Sequence, residues 1–188
     1  MAFKNKNFLW LGIVLGVVAL LIFGADYLED TSYQGDDSIR FVASEYSDLE
    51  ALLASEPFQN KVLYVDLWFS SCPPCIKEFK NPPLLKEHFK NRDDLVFLYI
   101  SHRTLHPNAL QLWKNAIRKY NLTGWHYMMD REFETRLWAE LRSKDSSIAK
   151  GYPRYLIIDN SSGYRNYSAP QPSQVKEVKA LLEPLLDR

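Results

Sequence analysis

Cys72 and Cys75 are the only cysteines in the 188-residue chain, and they stand in the stretch VDLWFSSCPPCIKEF with Pro73 and Pro74 between them. A pair at this spacing supports three chemistries: a passive disulfide, half of a metal site, or a dithiol that cycles between thiol and disulfide. A structural zinc site takes four ligands. The chain has no second cysteine pair, and of its histidines (His88, His102, His106 and His126) only His102 and His106 are close in sequence, in no recognised ligand spacing. A bridge closing so short a loop removes little entropy from the unfolded chain, so it is a poor staple. All three readings stay open here, with the cycling dithiol the strongest and no metal or organic cofactor expected.

That dithiol needs a particular setting. KVLYVDLWF, Lys61 to Phe69, is a continuous apolar, β-branched and aromatic run and reads as a fully buried strand. The segment after Cys72 reads as a helix, which puts Cys72 at the N-cap, Pro73 at the first helical position and Cys75 in the first turn, facing inward. Unpaired N–H groups and the helix dipole would stabilise a thiolate on Cys72 and lower its pKa from about 8.5. Cys72 is then the expected nucleophile and Cys75 the resolving thiol. Pro73 and Pro74 restrict the backbone and remove two N–H donors beside the sulfurs, which should tune the reduction potential. Asp66 lies inside the apolar run, six residues before Cys72. Burial should raise its pKa, making it a candidate proton acceptor for Cys75, with a hydrogen-bonded structural acid as the alternative.

Further elements follow from periodicity. A capping-box pattern, Ser47-Asp48-Leu49-Glu50, precedes a short helix ending near Pro57. The helix after Cys72 should kink or break at Pro82 and Pro83. DLVFLYIS, Asp94 to Ser101, is a second buried strand, and Pro107 to Tyr120 a helix. GWHYMM is read as a short strand, and Phe133, Leu137, Trp138 and Leu141 mark an amphipathic helix. RYLIID, NSSG and YRNYS read as strand, turn and strand, and Gln174 to Leu186 as a last helix. Strands alternating with helices imply an α/β sandwich with helices on both faces.

The N-terminus asks for a different environment. Phe8 to Ala25 is an uncharged run of 18 apolar residues, about 27 Å as a helix, enough to cross a bilayer core. Cleavage after Ala25 would put the bulky Phe23 at −3, a poor signal-peptidase site, and no cysteine is near for a lipid anchor. Lys4 and Lys6 before the run, with Asp26, Glu29 and Asp30 after it, orient the N-terminus to the cytoplasm. The expected organisation is a cytoplasmic stretch 1–7, a transmembrane anchor 8–25, an acidic linker 26–38, and a domain 39–188 outside the cytoplasm. Formal net charge is zero, so nucleic acid is not an expected partner. Nine acidic residues against one basic from Asp26 to Glu56, and ten basic against five acidic from Lys61 to Trp125, make the thiol-bearing segment mildly basic behind an acidic stretch.

VDLWFSSCPPCIKEF, together with GYPRYLIID, SGYRNY and APQPS downstream, resembles the membrane-anchored TlpA/ResA-like thiol-disulfide oxidoreductases of the thioredoxin superfamily, in their Bacteroidetes-type form. The resemblance runs from Phe41 to Leu186. It implies a thioredoxin-like fold, a central mixed sheet flanked by helices, and a redox-active Cys72–Cys75 disulfide. It also implies that Pro153 is a cis-proline lying against that disulfide, with the Tyr152 backbone offering strand-like hydrogen bonds to an extended substrate. Pro73 and Pro74 join them as expected substrate contacts. Glu78, one helical turn beyond Cys75, matches the glutamate that modulates the second cysteine in such proteins. Two departures stand out: Ser71 replaces the usual aromatic residue beside the exposed sulfur, and Tyr152 is bulkier than the residue usual before the cis-proline.

What the resemblance implies is an enzyme of the periplasmic side of the inner membrane. It would reduce disulfides of partner proteins, fed by a membrane electron donor, for example in cytochrome c maturation. A disulfide-forming oxidant and a non-catalytic binding module are the alternatives.

Overall fold

The computed structural model describes residues 38–43 and 45–187. No helix among them is long and apolar enough to cross a membrane. The cytoplasmic stretch 1–7, the anchor expected at 8–25 and all of the linker except Ser38 lie outside the described residues.

The chain runs β1 (Ile39–Phe41), α1 (Leu49–Leu53), a 3₁₀ turn (Glu56–Phe58), β2 (Val62–Trp68), α2 (Pro73–Glu78), α3 (Pro82–His88) and β3 (Leu95–His102). It continues through α4 (Ala109–Lys119), β4 (Gly124–Met129), α5 (Arg131–Lys144), β5 (Arg154–Asp159), β6 (Tyr164–Asn166) and α6 (Val175–Leu186). One six-stranded sheet has the order β1-β4-β3-β2-β5-β6. The β1–β4, β4–β3 and β3–β2 pairs are parallel, and β2–β5 and β5–β6 are antiparallel. The sheet is therefore mixed and flanked by helices, as a thioredoxin-like fold requires.

β2 sits between β3 and β5, and all seven of its residues are buried. Side chains alternate across a strand. Leu63, Val65 and Leu67 join the core formed with α1 and with Phe133, Leu137, Trp138 and Leu141 of α5. Val62 and Tyr64 join Leu85 and Phe89 on the α3 side, with Val178 and Leu182 of α6. Trp68 packs with Phe79, Tyr99, Trp113 and Ile117 around the two cysteines. Each fully buried large apolar side chain contributes about 1.5–3 kcal/mol relative to exposure, so β2 is held firmly from both faces.

Three local outcomes differ from, or sharpen, the sequence reading. β1 was not anticipated; three residues are too few to show a period, and its place is set by pairing with β4. The cap of α1 is Asp48, whose carboxylate accepts from the Ala51 N–H at 2.9 Å. Ser47, the cap expected from the capping-box pattern, instead donates to Asp48 Oδ2 at 2.7 Å. The prolines at 82 and 83 produce a break rather than a kink: α3 starts at Pro82, where a missing N–H costs no intrahelical bond.

Gly124 opens β4 with φ of 124°. A Cβ there would lie 2.6 Å from the Phe97 carbonyl oxygen, so neither the conformation nor the space suits another residue. Gly124→Ala should cost at least about 1–3 kcal/mol, lowering Tm by roughly 2–4 °C per kcal/mol in a domain of this size. An unchanged Tm in thermal unfolding would show that the strand start does not depend on this close approach.

Candidate functional site

At the end of β2 the chain turns into α2, and this junction holds the cysteines. Cys72 is the N-cap of α2, in extended conformation, and its sulfur accepts from the Cys75 N–H at 3.3 Å. Its own N–H donates to the Phe69 carbonyl at 3.1 Å, and the Ile76 N–H closes the first turn on the Cys72 carbonyl at 3.0 Å. Pro73 and Pro74 fill the first positions of α2, where absent N–H groups leave no intrahelical bond unmade. Cys72 and Cys75 are disulfide-bonded, with Cα atoms 5.3 Å apart.

The exposure pattern corrects one expectation. The sequence reading placed an exposed sulfur on Cys72, yet Cys72 is only 1% exposed and Cys75 0%. Phe69, Ile76 and Tyr152 pack against the cluster containing both cysteines, while Ser71, Pro73 and Pro74 stand in solvent. Phe69 and Tyr152 are among the side chains packed on this cluster, and the two prolines are exposed beside it.

Asp66 lies under this cluster on β2, 3% exposed. Its cross-strand partners are Tyr99 on β3 and Tyr155 on β5, and among the described residues neither carboxylate oxygen has a hydrogen-bond partner. Burial pushes its pKa well above the ordinary value of 3.8, and the nearby Glu78 charge pushes the same way, while Lys86 partly offsets both. Lys86 reaches in from α3. Its ammonium donates to the Tyr99 hydroxyl at 3.0 Å and to Thr123 Oγ1 at 2.9 Å, and also to the Thr123 carbonyl. Burial lowers its pKa to about 7, with Asp66 pulling the other way. Glu78, 7% exposed, accepts through Oε2 from Asn81 Nδ2 at 3.1 Å and from the Ser173 N–H at 2.9 Å. It thereby ties α2 to the segment before α6.

The Tyr152–Pro153 peptide bond is cis. Arg154 pairs with Leu67 and Ser101 with Trp68, so Pro153 lies level with the end of β2 and His102 at the matching end of β3. Here the structure gathers Phe69, His102 and Tyr152. The Phe69 and Tyr152 rings meet edge to face at 5.4 Å, and the His102 ring stacks on Tyr152 at 6.0 Å. Cys72, Cys75, Asp66, Glu78, Tyr152, Pro153, Pro73 and Pro74 thus share one end of the sheet. His106 does not join them; it is exposed, and its Nδ1 accepts from the Asn108 N–H at 3.0 Å.

Two residues escaped the sequence reading. Lys86 is a half-buried lysine in a short, proline-started helix, and nothing in its spacing marks it as turned inward. Glu134 left a weak trace: it lies three, four and seven residues before Leu137, Trp138 and Leu141, a spacing that places an acid on an apolar face.

Residues 34–182 match the Redoxin family. No curated protein sequence matches the chain. Among solved structures it is similar to the thioredoxin domain of a thiol-disulfide oxidoreductase from Bacteroides vulgatus, with 17% identity and a TM-score of 0.52 over 69% of this chain and 81% of that one. It is also similar to a thiol-disulfide oxidoreductase from Bacteroides fragilis, with 21% identity and a TM-score of 0.51 over 71% and 88%. A thiol:disulfide interchange protein of the thioredoxin family from Chlorobium tepidum gives 19% identity and a TM-score of 0.50 over 66% and 81%. At these identities the structures speak for the thioredoxin fold, and the family match covers most of the chain, disulfide included. The chain belongs to the Redoxin family.

Proposed function

We propose that this protein is a membrane-anchored, TlpA/ResA-like reductant of protein disulfides, working on the periplasmic side of the inner membrane. The observation that carries the exchange reading is the Cys72–Cys75 disulfide at the β2–α2 junction, with a carboxyl buried behind it that resists ionisation. In the reduced protein the Cys72 thiolate attacks one sulfur of a substrate disulfide. A Cys72–substrate bond forms and the first substrate thiolate leaves. The Cys75 thiol then loses its proton to the ionised form of Asp66, which burial makes a stronger base, and attacks Cys72 Sγ, closing the Cys72–Cys75 disulfide and releasing the second substrate thiolate. Two electrons pass to the substrate, so a dithiol donor must reopen the bridge; for a domain outside the cytoplasm that donor is a membrane protein.

Other site residues have supporting roles. The Tyr152 backbone and Pro153 receive an extended substrate segment, with Pro73 and Pro74 on the opposite rim. Glu78 modulates the Cys75 step by its charge beside Asp66. The placement rests on the sequence: the apolar run Phe8–Ala25, the lysines before it and the acids after it.

A Cys75→Ser substitution in the full-length chain should stop the cycle at the mixed disulfide. Partner adducts through Cys72 should accumulate, reversible by thiol reductant, in membranes washed with alkali. Adducts found only in the soluble fraction would refute the anchor, and absence of any adduct would refute exchange.

The reduction potential of the same chain, equilibrated in graded thiol–disulfide buffers in detergent, reads the direction. A reductant should lie near or below about −220 mV, whereas a value near about −120 mV would make it an oxidant.

Asp66 gives a pH-dependent signature. Its folded-state pKa is raised, so ionisation opposes folding. That penalty is absent below the ordinary value of 3.8 and grows as pH rises toward the folded-state value. Asp66→Asn should therefore melt higher than the parent at pH 7–8, by about 2–4 °C for each kcal/mol relieved, and the gap should close as pH falls toward 4. The same variant should resolve mixed disulfides more slowly. A Tm difference that does not vary with pH would sink the assignment.

A further inference from the structure

On α5, Phe133, Leu137, Trp138 and Leu141 are buried against the sheet, and Glu134 is buried among them at 5% exposure. An acid on an apolar helix face is costly unless its oxygens are satisfied, and here both are. Oε1 accepts from the Tyr152 hydroxyl at 2.6 Å and lies 2.7 Å from Lys150 Nζ. Oε2 lies 3.2 Å from His102 Nδ1. Burial works to raise the Glu134 pKa, but the bonds from Lys150 and Tyr152 and the nearby His102 outweigh it and hold the carboxyl below its ordinary value.

The groups that meet here are far apart in sequence: His102 ends β3, Glu134 lies in the first turn of α5, and Tyr152 precedes cis-Pro153. The Tyr152 hydroxyl also accepts from Trp138 Nε1 at 3.3 Å, and the Tyr152 ring meets Trp138, His102 and Phe69 at 5.5, 6.0 and 5.4 Å. The tyrosine is thus fixed at its tip by hydrogen bonds and along its ring by aromatic contacts. The tip contact is the charge-assisted one, which is the stronger kind.

We infer that Glu134 is a positioning residue for substrate: through the Tyr152 hydroxyl it holds the Tyr152–Pro153 segment beside the disulfide, where an extended peptide containing the substrate's cystine must lie. This rests on the exchange reading above. Glu134 itself need touch neither substrate nor sulfur. Fixing the segment in advance removes an ordering cost from binding, so losing the anchor weakens substrate capture more than it slows the sulfur chemistry.

The test is steady-state reduction of insulin by the full-length chain in detergent, with dithiothreitol as electron donor and its direct reaction subtracted. Glu134→Ala should raise KM for insulin about 3- to 10-fold with kcat held within about twofold. Tyr152→Phe, which keeps the ring and loses only the hydroxyl, should raise KM alike, and keeps the test open if Glu134→Ala does not fold. The double variant should be no worse than either single one, because both remove the same bond. Unchanged KM in the two variants, a fall confined to kcat, or additive effects in the double variant would overturn the inference. A parent protein with no turnover above the dithiothreitol background would instead overturn the exchange reading, and this inference with it.

Discussion

Asp66 lies in a strand whose seven residues are all buried, between Tyr99 and Tyr155 on the neighbouring strands. Water cannot reach its carboxyl, and removing an ion from water costs several kcal/mol even after the protein relaxes. Such a group meets the cost by finding a counter-charge or by keeping its proton. Both are partly at work here. Lys86 enters from α3 and lowers the pKa somewhat, but its ammonium is bonded to Tyr99 and Thr123 rather than to Asp66. Glu78 works against ionisation from α2. A carboxyl whose pKa is raised is a stronger base once it ionises, which is the property a proton acceptor behind a dithiol would use.

The same strand explains why the parts meet. β2 carries Asp66 and Trp68 on one face and Leu67 on the other, and it ends where α2 begins. With β3 and β5 in register beside it, its last residues bring Phe69, His102 and Tyr152 to one edge. Glu78 then fixes the far end of α2 through the Ser173 N–H at 2.9 Å. The dithiol helix is only six residues long, too short to be stable alone, so its position is set by this tie and by the aromatic packing around Phe79.

Much of this was legible in the sequence because it is written in local patterns. An unbroken apolar run declares a strand covered on both sides, proline at a first helical position declares a helix start, and a cysteine pair at their junction marks the candidate site. What escaped depends on distant neighbours. β1 is three residues held by β4, the α1 cap moved from Ser47 to Asp48 because the helix starts one residue later, and the burial of Cys72 comes with a cluster assembled from distant elements. Half-buried Lys86 and buried Glu134 are charged residues whose surroundings are decided by what packs on them, and composition cannot show that.

Asp66 and Glu134 are both buried carboxyls near the end of one sheet, yet they are driven in opposite directions. Asp66 has no hydrogen-bond partner and its pKa is raised; Glu134 has donors at both oxygens and its pKa is lowered. A carboxyl held ionised by three donors is a poor proton acceptor, because protonation would leave those donors unmatched, and it is suited to fixing geometry. A carboxyl whose pKa is raised by burial, with no partner among the described residues, has no hydrogen bond to break when it titrates, so it is suited to moving a proton. The two acids differ in burial by little; what separates them is the supply of donors, with Tyr152, Lys150 and His102 surrounding one and tyrosine rings flanking the other. That difference separates a carboxyl suited to moving a proton, on the α2 side of β2, from one suited to holding shape, on the α5 side.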